Sequence, residues 1–588
     1  MENHKSYRRG GKKRINVKRL LVSCIVLLAI IAAVLFIIYI LKQNEQPLEN
    51  STTEQTSQDI KVSQEPGSTV LTREFLTPNA AVSTEPSNLS FKTEIELDGT
   101  ETTQYQRLTE ILLGYPEDYS SVEGITTFRG NNFRNSGSYG TATITEKKLD
   151  IDNAWTVSTG SLPKSTGSGA WTGNGWVGQP LIVKWDDETK QIMNLYDAKK
   201  SKSDLVEVIY ASMDGNVYFL DLDDGSKTRD KLNIGLPFKG AGSIDPRGYP
   251  LLYLGSGDAL PSGDGATRAM IYSLIDFKQL YVFGKKTDSF SLRGFHAYDS
   301  SPLIDSDTDT LIYPGENGII YTMNLNTDYD KAAGTISVEP SELLKWRYSN
   351  SRSNKDTYWL GMEDSCVMWK NYMYIADNGG NLMCIDINTM DLIWVQDTKD
   401  DTNGSPVFEL SEDGERGYIY IAPSLHWTKD SNNYGEISIY KIDAVTGEVV
   451  WNAPYNVYTY EGVSGGVQAT AVLGQNSISD LIIIPIARTP SMNSGCLVAL
   501  DKETGKEVWK YSMNNYAWSS PVAVYDEDGN AYIIQCDSAG NMALIDGKTG
   551  TELDKVSLGT NIEATPAVYG NTVVVGTRGQ KIYGITIK

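Results

Sequence analysis

The chain has 588 residues, more than one compact core ordinarily holds, so several domains or a repeat architecture is expected. Residues 1–42 carry nine Lys or Arg and one acidic residue, which leaves −30 for the rest of a chain whose total is −22. So acidic a body excludes a nucleic-acid partner, because phosphate affinity comes from Lys and Arg, and three histidines are too few for a multi-His zinc site.

In chain order, residues 1–19 read as a basic cytoplasmic tail. Residues 20–41, LLVSCIVLLAIIAAVLFIIYIL, contain no charge. As a helix they span about 33 Å, enough to cross a bilayer core. Basic residues before them and the lack of an A-x-A-like cleavage site after them predict a single-pass anchor in the cell membrane, N-terminus inside and body outside. Residues 42–104 are rich in Ser, Thr, Glu and Pro without apolar periodicity and predict a disordered linker. Residues 105–153 form an entry segment, in which YQRLTEILLG (105–114) predicts a short amphipathic helix.

From residue 154 to 588 one phrase recurs. ALDKETGKEVW (499–509), YKIDAVTGEVVW (440–451) and CIDINTMDLIW (384–394) each place a Thr-Gly-type turn between an Asp and an alternating run ending in Trp. That pattern is a strand, a tight turn and a strand. Each unit opens on a small-residue-Pro-apolar phrase, as at Pro180, Pro302, Pro406, Pro521 and Pro566. Units of about 40 to 60 residues with four strands are the signature of propeller blades. The last unit holds three strands before Lys588, and Ala154–Gly160 is an orphan strand at the start. Their union predicts an all-β, eight-bladed propeller closed by both termini. Cys366, Cys384, Cys496 and Cys536 lie in apolar strand contexts without C-x-x-C spacing and read as buried free thiols.

The phrase A-x-D-x-x-T-G-x-x-x-W resembles the tryptophan-docking repeat of the PQQ-like, quinoprotein-type, eight-bladed propellers, and FRGNNFRNSGSYG (128–140) resembles the segment that precedes the first blade there. The resemblance implies structural docking roles for Trp155, Trp394, Trp451 and Trp509. It also implies one of two functional branches. The dehydrogenases hold pyrroloquinoline quinone (PQQ) over calcium, often beside a disulfide of adjacent cysteines, with an Asp base; the scaffold branch resembles the propeller of the bacterial outer-membrane assembly machine and binds proteins without a cofactor. No two cysteines adjoin here, which favours the scaffold branch.

Two carboxylate runs have alternating calcium-loop spacing: Asp305, Asp307 and Asp309, and Asp526 with Asp528. Neither has a distal bidentate Glu, and both fit solvated turns, so no metal, cofactor or catalytic residue is assigned. Long loops fall on one face and carry Trp171, Trp176, His296, Tyr298, Tyr358, Trp359, His426, Trp427, Tyr458, Tyr460, Arg488 and Trp518. Aromatics interspersed with Arg suit an interface or sugar stacking. The expectation is a membrane-anchored, non-catalytic module that binds an envelope protein or cell-wall glycan. A PQQ- and calcium-dependent dehydrogenase is the first alternative, and a receptor signalling through a membrane partner is the second.

Overall fold

Strands that read as unbroken apolar runs, such as Leu251–Gly255 and Leu481–Ala487, are buried along their whole length. A strand covered on both faces needs a neighbouring sheet on each side, and a ring of radial sheets supplies it. The computed structural model describes residues 73–165, 168–176, 178–258, 266–285 and 288–588. In it, eight antiparallel sheets form the blades, their first strands beginning at Leu181, Ser243, Leu303, Val367, Val407, Val472, Val522 and Ala567. Blade 8 takes its first three strands from the C-terminus and its fourth from Leu149–Ser158, which pairs antiparallel with Lys581–Ile587. The expected closure is present, with the donated strand beginning five residues before 154.

The recurring phrase is the joint between blades. Trp155, Trp394, Trp451 and Trp509 each donate an indole N–H to a carbonyl in the next blade's turn: Leu222 (2.8 Å), Ala444 (3.1 Å), Lys502 (2.9 Å) and Gly547 (3.1 Å). The ring lies on the glycine of that turn, Gly225, Gly447, Gly505 or Gly550, with φ between 68° and 73°. A Cβ at any of the four would stand 2.5–2.7 Å from an indole carbon. Glycine is therefore required twice over, by the left-handed backbone and by the aromatic face.

The opening phrase of each unit is the inner joint. The backbone N–H of Ser301 donates to Ser365 Oγ, Ser365 to Ser405, Ser405 to Thr470, Thr470 to Ser520 and Ser520 to Thr565, at 2.8–3.4 Å. Thr565 N–H completes the run on the Gly178 carbonyl at 3.1 Å. One hydroxyl from each of blades 4 to 8 thus links blades 3 to 8 around the axis, and a backbone bond returns to blade 1.

The segment FRGNNFR plugs the axis. Arg134, fully buried, donates Nε to the Cys366 carbonyl (3.0 Å), Nη2 to Ser301 O (2.9 Å) and Nη1 to Thr127 Oγ1 (2.7 Å) and Phe128 O (2.9 Å). Arg129, also buried, donates to the carbonyls of Pro521 (2.5 Å) and Ala471 (2.8 Å). Burial away from carboxylates lowers both guanidinium pKa values, that of Arg129 to about 10. The resemblance of this segment to a pre-blade entry element has a physical basis: it ties inner strands of several blades together.

Two expectations are corrected. The disordered linker was expected to reach residue 104, yet residues 73–104 are ordered. Phe75 packs edge-on against Trp369, Thr84 Oγ1 donates to the Thr446 carbonyl at 2.6 Å, and Lys92–Leu97 pairs with Ser341–Ser349, the outer strand of blade 3. Ser/Thr/Glu composition suits the exposed face of an edge strand as well as it suits disorder, and backbone pairing with a waiting edge decides between them. Residues 105–114 are extended, not helical. Ile111 and Leu113 are buried while Leu112 is exposed, the alternation of a strand-like segment. Residues 1–72, including the expected anchor at 20–41, lie outside the described residues; among those described, no helix is long and apolar enough to cross a membrane.

Candidate functional site

Second-to-third-strand loops and blade-to-blade loops share one face, so the residues just before each blade's first strand ring the axis there. Three positions before each opening Pro, or the residue in its place, stand Gly240, Asp299, Glu363, Asn403, Gln468, Trp518 and Glu563. The structure brings the first five of these together around the axial opening, above Phe128 of the plug. This register was present in the sequence and went unused, because the repeat was read for its architecture and not for its axial position.

Two aromatic groups border the opening. Trp171 packs edge-on against Trp176 (6.4 Å between ring centres), Trp176 against Trp518 (5.8 Å), and Trp518 against Tyr516 (5.7 Å). On the other side Tyr358, Trp359, His426 and Trp427 form a second set, with centres 5.0–6.1 Å apart. Between the sets lies a cavity of about 250 Å³ lined by Trp176, Tyr358, His426, Tyr460 and Trp518 together with Glu363, Asp401 and Gln468.

Beneath the aromatics, Lys239, Asp299, Arg293 and Glu316 are paired and buried. Lys239 Nζ stands 3.6 Å from Asp299 and 4.5 Å from the Trp176 ring centre. Arg293 Nη1 stands 3.2 Å from Glu316 and its guanidinium lies 4.7 Å over Tyr358. Burial pushes the Asp299 carboxyl up to about 7 against the pull of Lys239. Burial, with the charge of Glu363, holds Glu316 well above the usual carboxylate range. His426 Nδ1 lies 2.9 Å from Asp401 Oδ2, and that hydrogen bond holds the imidazole above its ordinary 6.5.

Not every loop residue reaches this mouth. Tyr298 is wholly buried, donating to the Gly284 carbonyl at 2.9 Å within a cluster of Phe283, Tyr313 and Tyr321. A tyrosine in a loop next to a strand start is drawn into the core whenever a hydroxyl partner is within reach. His296 is also buried. Tyr458 packs on Tyr434 at 4.8 Å, outside the cavity lining. Arg488 braces a loop, donating to the carbonyls of Val463 (3.0 Å) and Met492 (2.6 Å) and covering Tyr516.

The carboxylate runs serve as turns. Asp309 pairs with Arg247 at 2.7 Å and accepts from Thr327 N, Asp305 accepts from Thr308 Oγ1, and Asp526 accepts from the N–H groups of Asp528 and Asn530. Among the described residues no three His, Cys, Asp or Glu side chains converge as a metal site requires. The four body cysteines are buried free thiols.

Residues 493–588 match a family model described as "Outer membrane protein assembly factor BamB". No curated protein sequence matches the chain. Among solved structures, a quinohemoprotein alcohol dehydrogenase from Pseudomonas putida is similar at TM-score 0.50 and 12% identity, over 79% of this chain and 80% of that one. BamB from Moraxella catarrhalis is similar at TM-score 0.43 and 16% identity, over 65% of this chain and 92% of that one. The sequence likeness is confined to the last blades, and the structural likeness at 0.50 concerns the fold. On the repeats, the docking tryptophans and the closed ring, the chain is an eight-bladed β-propeller that resembles the PQQ-like type.

Proposed function

We propose that the protein is a membrane-anchored, extracytoplasmic binding module that captures an envelope protein through the mouth on its loop face. The observation that carries this reading is the exposure of large aromatics around one opening: Tyr358 is 39% exposed, Trp427 36% and Tyr460 61%. Exposed aromatics grouped at a cavity rim are the residues that dominate interface energies. The match of the last blades to a model named for an outer-membrane assembly factor supports a protein partner over a glycan. The uncharged run at 20–41 behind a basic flank supports an anchor with the body outside.

The mouth fits PQQ poorly. That cofactor is an anion, and the two cations beneath the aromatic mouth, Lys239 and Arg293, are already paired with Asp299 and Glu316. A cavity of about 250 Å³ lies below the roughly 300–1,000 Å³ of ordinary cofactor sites. The buried cysteines include no adjacent pair to stack on a quinone.

Crosslinking in intact cells tests the reading. The wild type should capture a discrete envelope partner, and Trp427→Ala and Tyr460→Ala should reduce capture several-fold without changing the melting temperature. Undiminished capture by both variants overturns the aromatic interface. Sustained dye-linked alcohol oxidation after addition of PQQ and calcium would establish the dehydrogenase instead. Protease added to wall-stripped cells should release nearly the whole body; a protected body overturns the localisation.

A further inference from the structure

Glu363 and Asp401 face the cavity, and among the described residues no lysine or arginine is in ion-pair contact with either. Asp401 pairs with His426 and also accepts from the Asn403 amide at 3.4 Å, and the Nδ2 of Asn378 donates to both carboxylates, at 3.1 Å to Glu363 and 2.8 Å to Asp401. Asn378 is completely buried at the base of this group, and its Oδ1 accepts no hydrogen bond. The mouth's basic side chains are spent elsewhere: Lys239 on Asp299, Arg293 on Glu316 and Arg578 on Glu563. The cavity lining itself adds Glu461 against a single lysine, Lys429. Negative charge is thus in excess inside a box walled by Trp176, Tyr358, Tyr460 and Trp518.

We propose that this mouth receives a basic side chain, lysine or arginine, presented by the partner, with the cationic head between Glu363 and Asp401 and the stem against the aromatic walls. The inference rests on the binding-module reading and specifies its ligand. Three physical terms agree. Aromatic faces attract a cation through their quadrupoles and cover an aliphatic stem. Two carboxylates held only by neutral amide donors and one imidazole are left with charge that a cation neutralises, in a recess where screening is weaker than on the open surface. The cavity holds one side chain and leaves no room for an extended glycan or a multi-ring cofactor.

The test uses the purified full-length protein in detergent and a trilysine peptide, followed by tryptophan fluorescence, since Trp176 and Trp518 line the cavity. Trilysine should bind, triglutamate should not, and Glu363→Gln, which keeps the shape and removes the charge, should weaken trilysine by about five- to tenfold. Because the whole body is acidic, Glu527→Gln in the exposed turn at 526–530 serves as the control and should leave binding unchanged. Should Glu363→Gln melt early, Tyr460→Ala carries the test, its ring being 61% exposed and free of core contacts. Equal trilysine affinity in wild type and in a stably folded Glu363→Gln or Tyr460→Ala overturns the proposal, as does equal binding of triglutamate. If trilysine binding is indifferent to these variants while loop variants lose the crosslinked partner, the ligand class falls and the binding module stands. If trilysine behaves as expected while the loop variants keep the partner, the converse holds.

Discussion

The indole of Trp451 in blade 5 lies flat on Gly505 in blade 6, so close that a Cβ on Gly505 would stand 2.7 Å from ring atom Cδ2. The same indole donates to the Lys502 carbonyl at 2.9 Å, three residues before that glycine. One side chain thereby reads both the shape and the polarity of the neighbouring turn.

The first prediction follows from that pair. Gly505→Ala should cost about 1–3 kcal/mol, from the left-handed backbone and the clash together. Trp451→Ala should cost about 3 kcal/mol by leaving a void and an unpaired carbonyl between blades. The double variant should be milder than the sum by about 0.5–3 kcal/mol, because the alanine methyl no longer meets a ring. Denaturant midpoints of the four proteins measure the coupling; strict additivity would mean the two residues do not touch.

Arg134 offers a second case. Its fork donates to Cys366, Ser301, Thr127 and Phe128 at once, on the axis and fully buried. Arg134→Lys keeps the charge but not the reach, since an ammonium is a point donor. It should destabilise by at least about 2 kcal/mol, lowering the melting temperature despite being a conservative exchange. A melting temperature equal to wild type would show that the plug is dispensable.

A third prediction concerns the outer edge of blade 3. Lys92–Leu97 and Thr100–Thr102 add two strands beyond Ser341–Ser349. Deleting residues 92–104 should bare that edge strand with its N–H and C=O groups unpaired, inviting pairing between molecules. Light scattering should detect oligomers that the wild type does not form at the same concentration.

The fourth concerns pH. His426 titrates above 6.5 because Asp401 accepts its hydrogen bond and outweighs burial and the nearby Lys429. A pKa raised in the folded state contributes stability fully below about 6.5, and that contribution is lost as pH rises through the folded value. Asp401→Asn should return the imidazole titration toward its ordinary value and abolish this pH dependence. With only three histidines in the chain, ring proton shifts can follow it directly. An unmoved His426 titration in Asp401→Asn would refute the assignment.

The architecture was legible because its rules are local. A Thr-Gly turn, an alternating run and a Trp repeat themselves in sequence, and the glycine and the tryptophan that meet across each joint belong to the same phrase in successive copies. The opening phrase was equally legible, although the linkage of each hydroxyl to the preceding blade's backbone N–H required the ring itself. Residues 73–104 were misjudged for the complementary reason. Their composition lacks the periodicity that announces a strand or helix, and what orders them is a distant edge, such as Ser341–Ser349 for Lys92–Leu97.

The mouth divides along the same line. Which loops are long, and that they carry aromatics and arginines, follows from the chain alone, because strand order assigns every loop to a face. Whether a given aromatic is wall or core does not, as Tyr298 and Tyr358 illustrate: two loop tyrosines, one fully buried and the other 39% exposed. The meeting of Glu363 with Asp401, 38 positions apart, depends on two adjacent blades bringing their axial ends within reach of one amide, Asn378. Backbone pattern repeats with the sequence and can be read from it. The electrostatics of the axis arise where separate stretches from five blades converge, and only the closed ring brings them into contact.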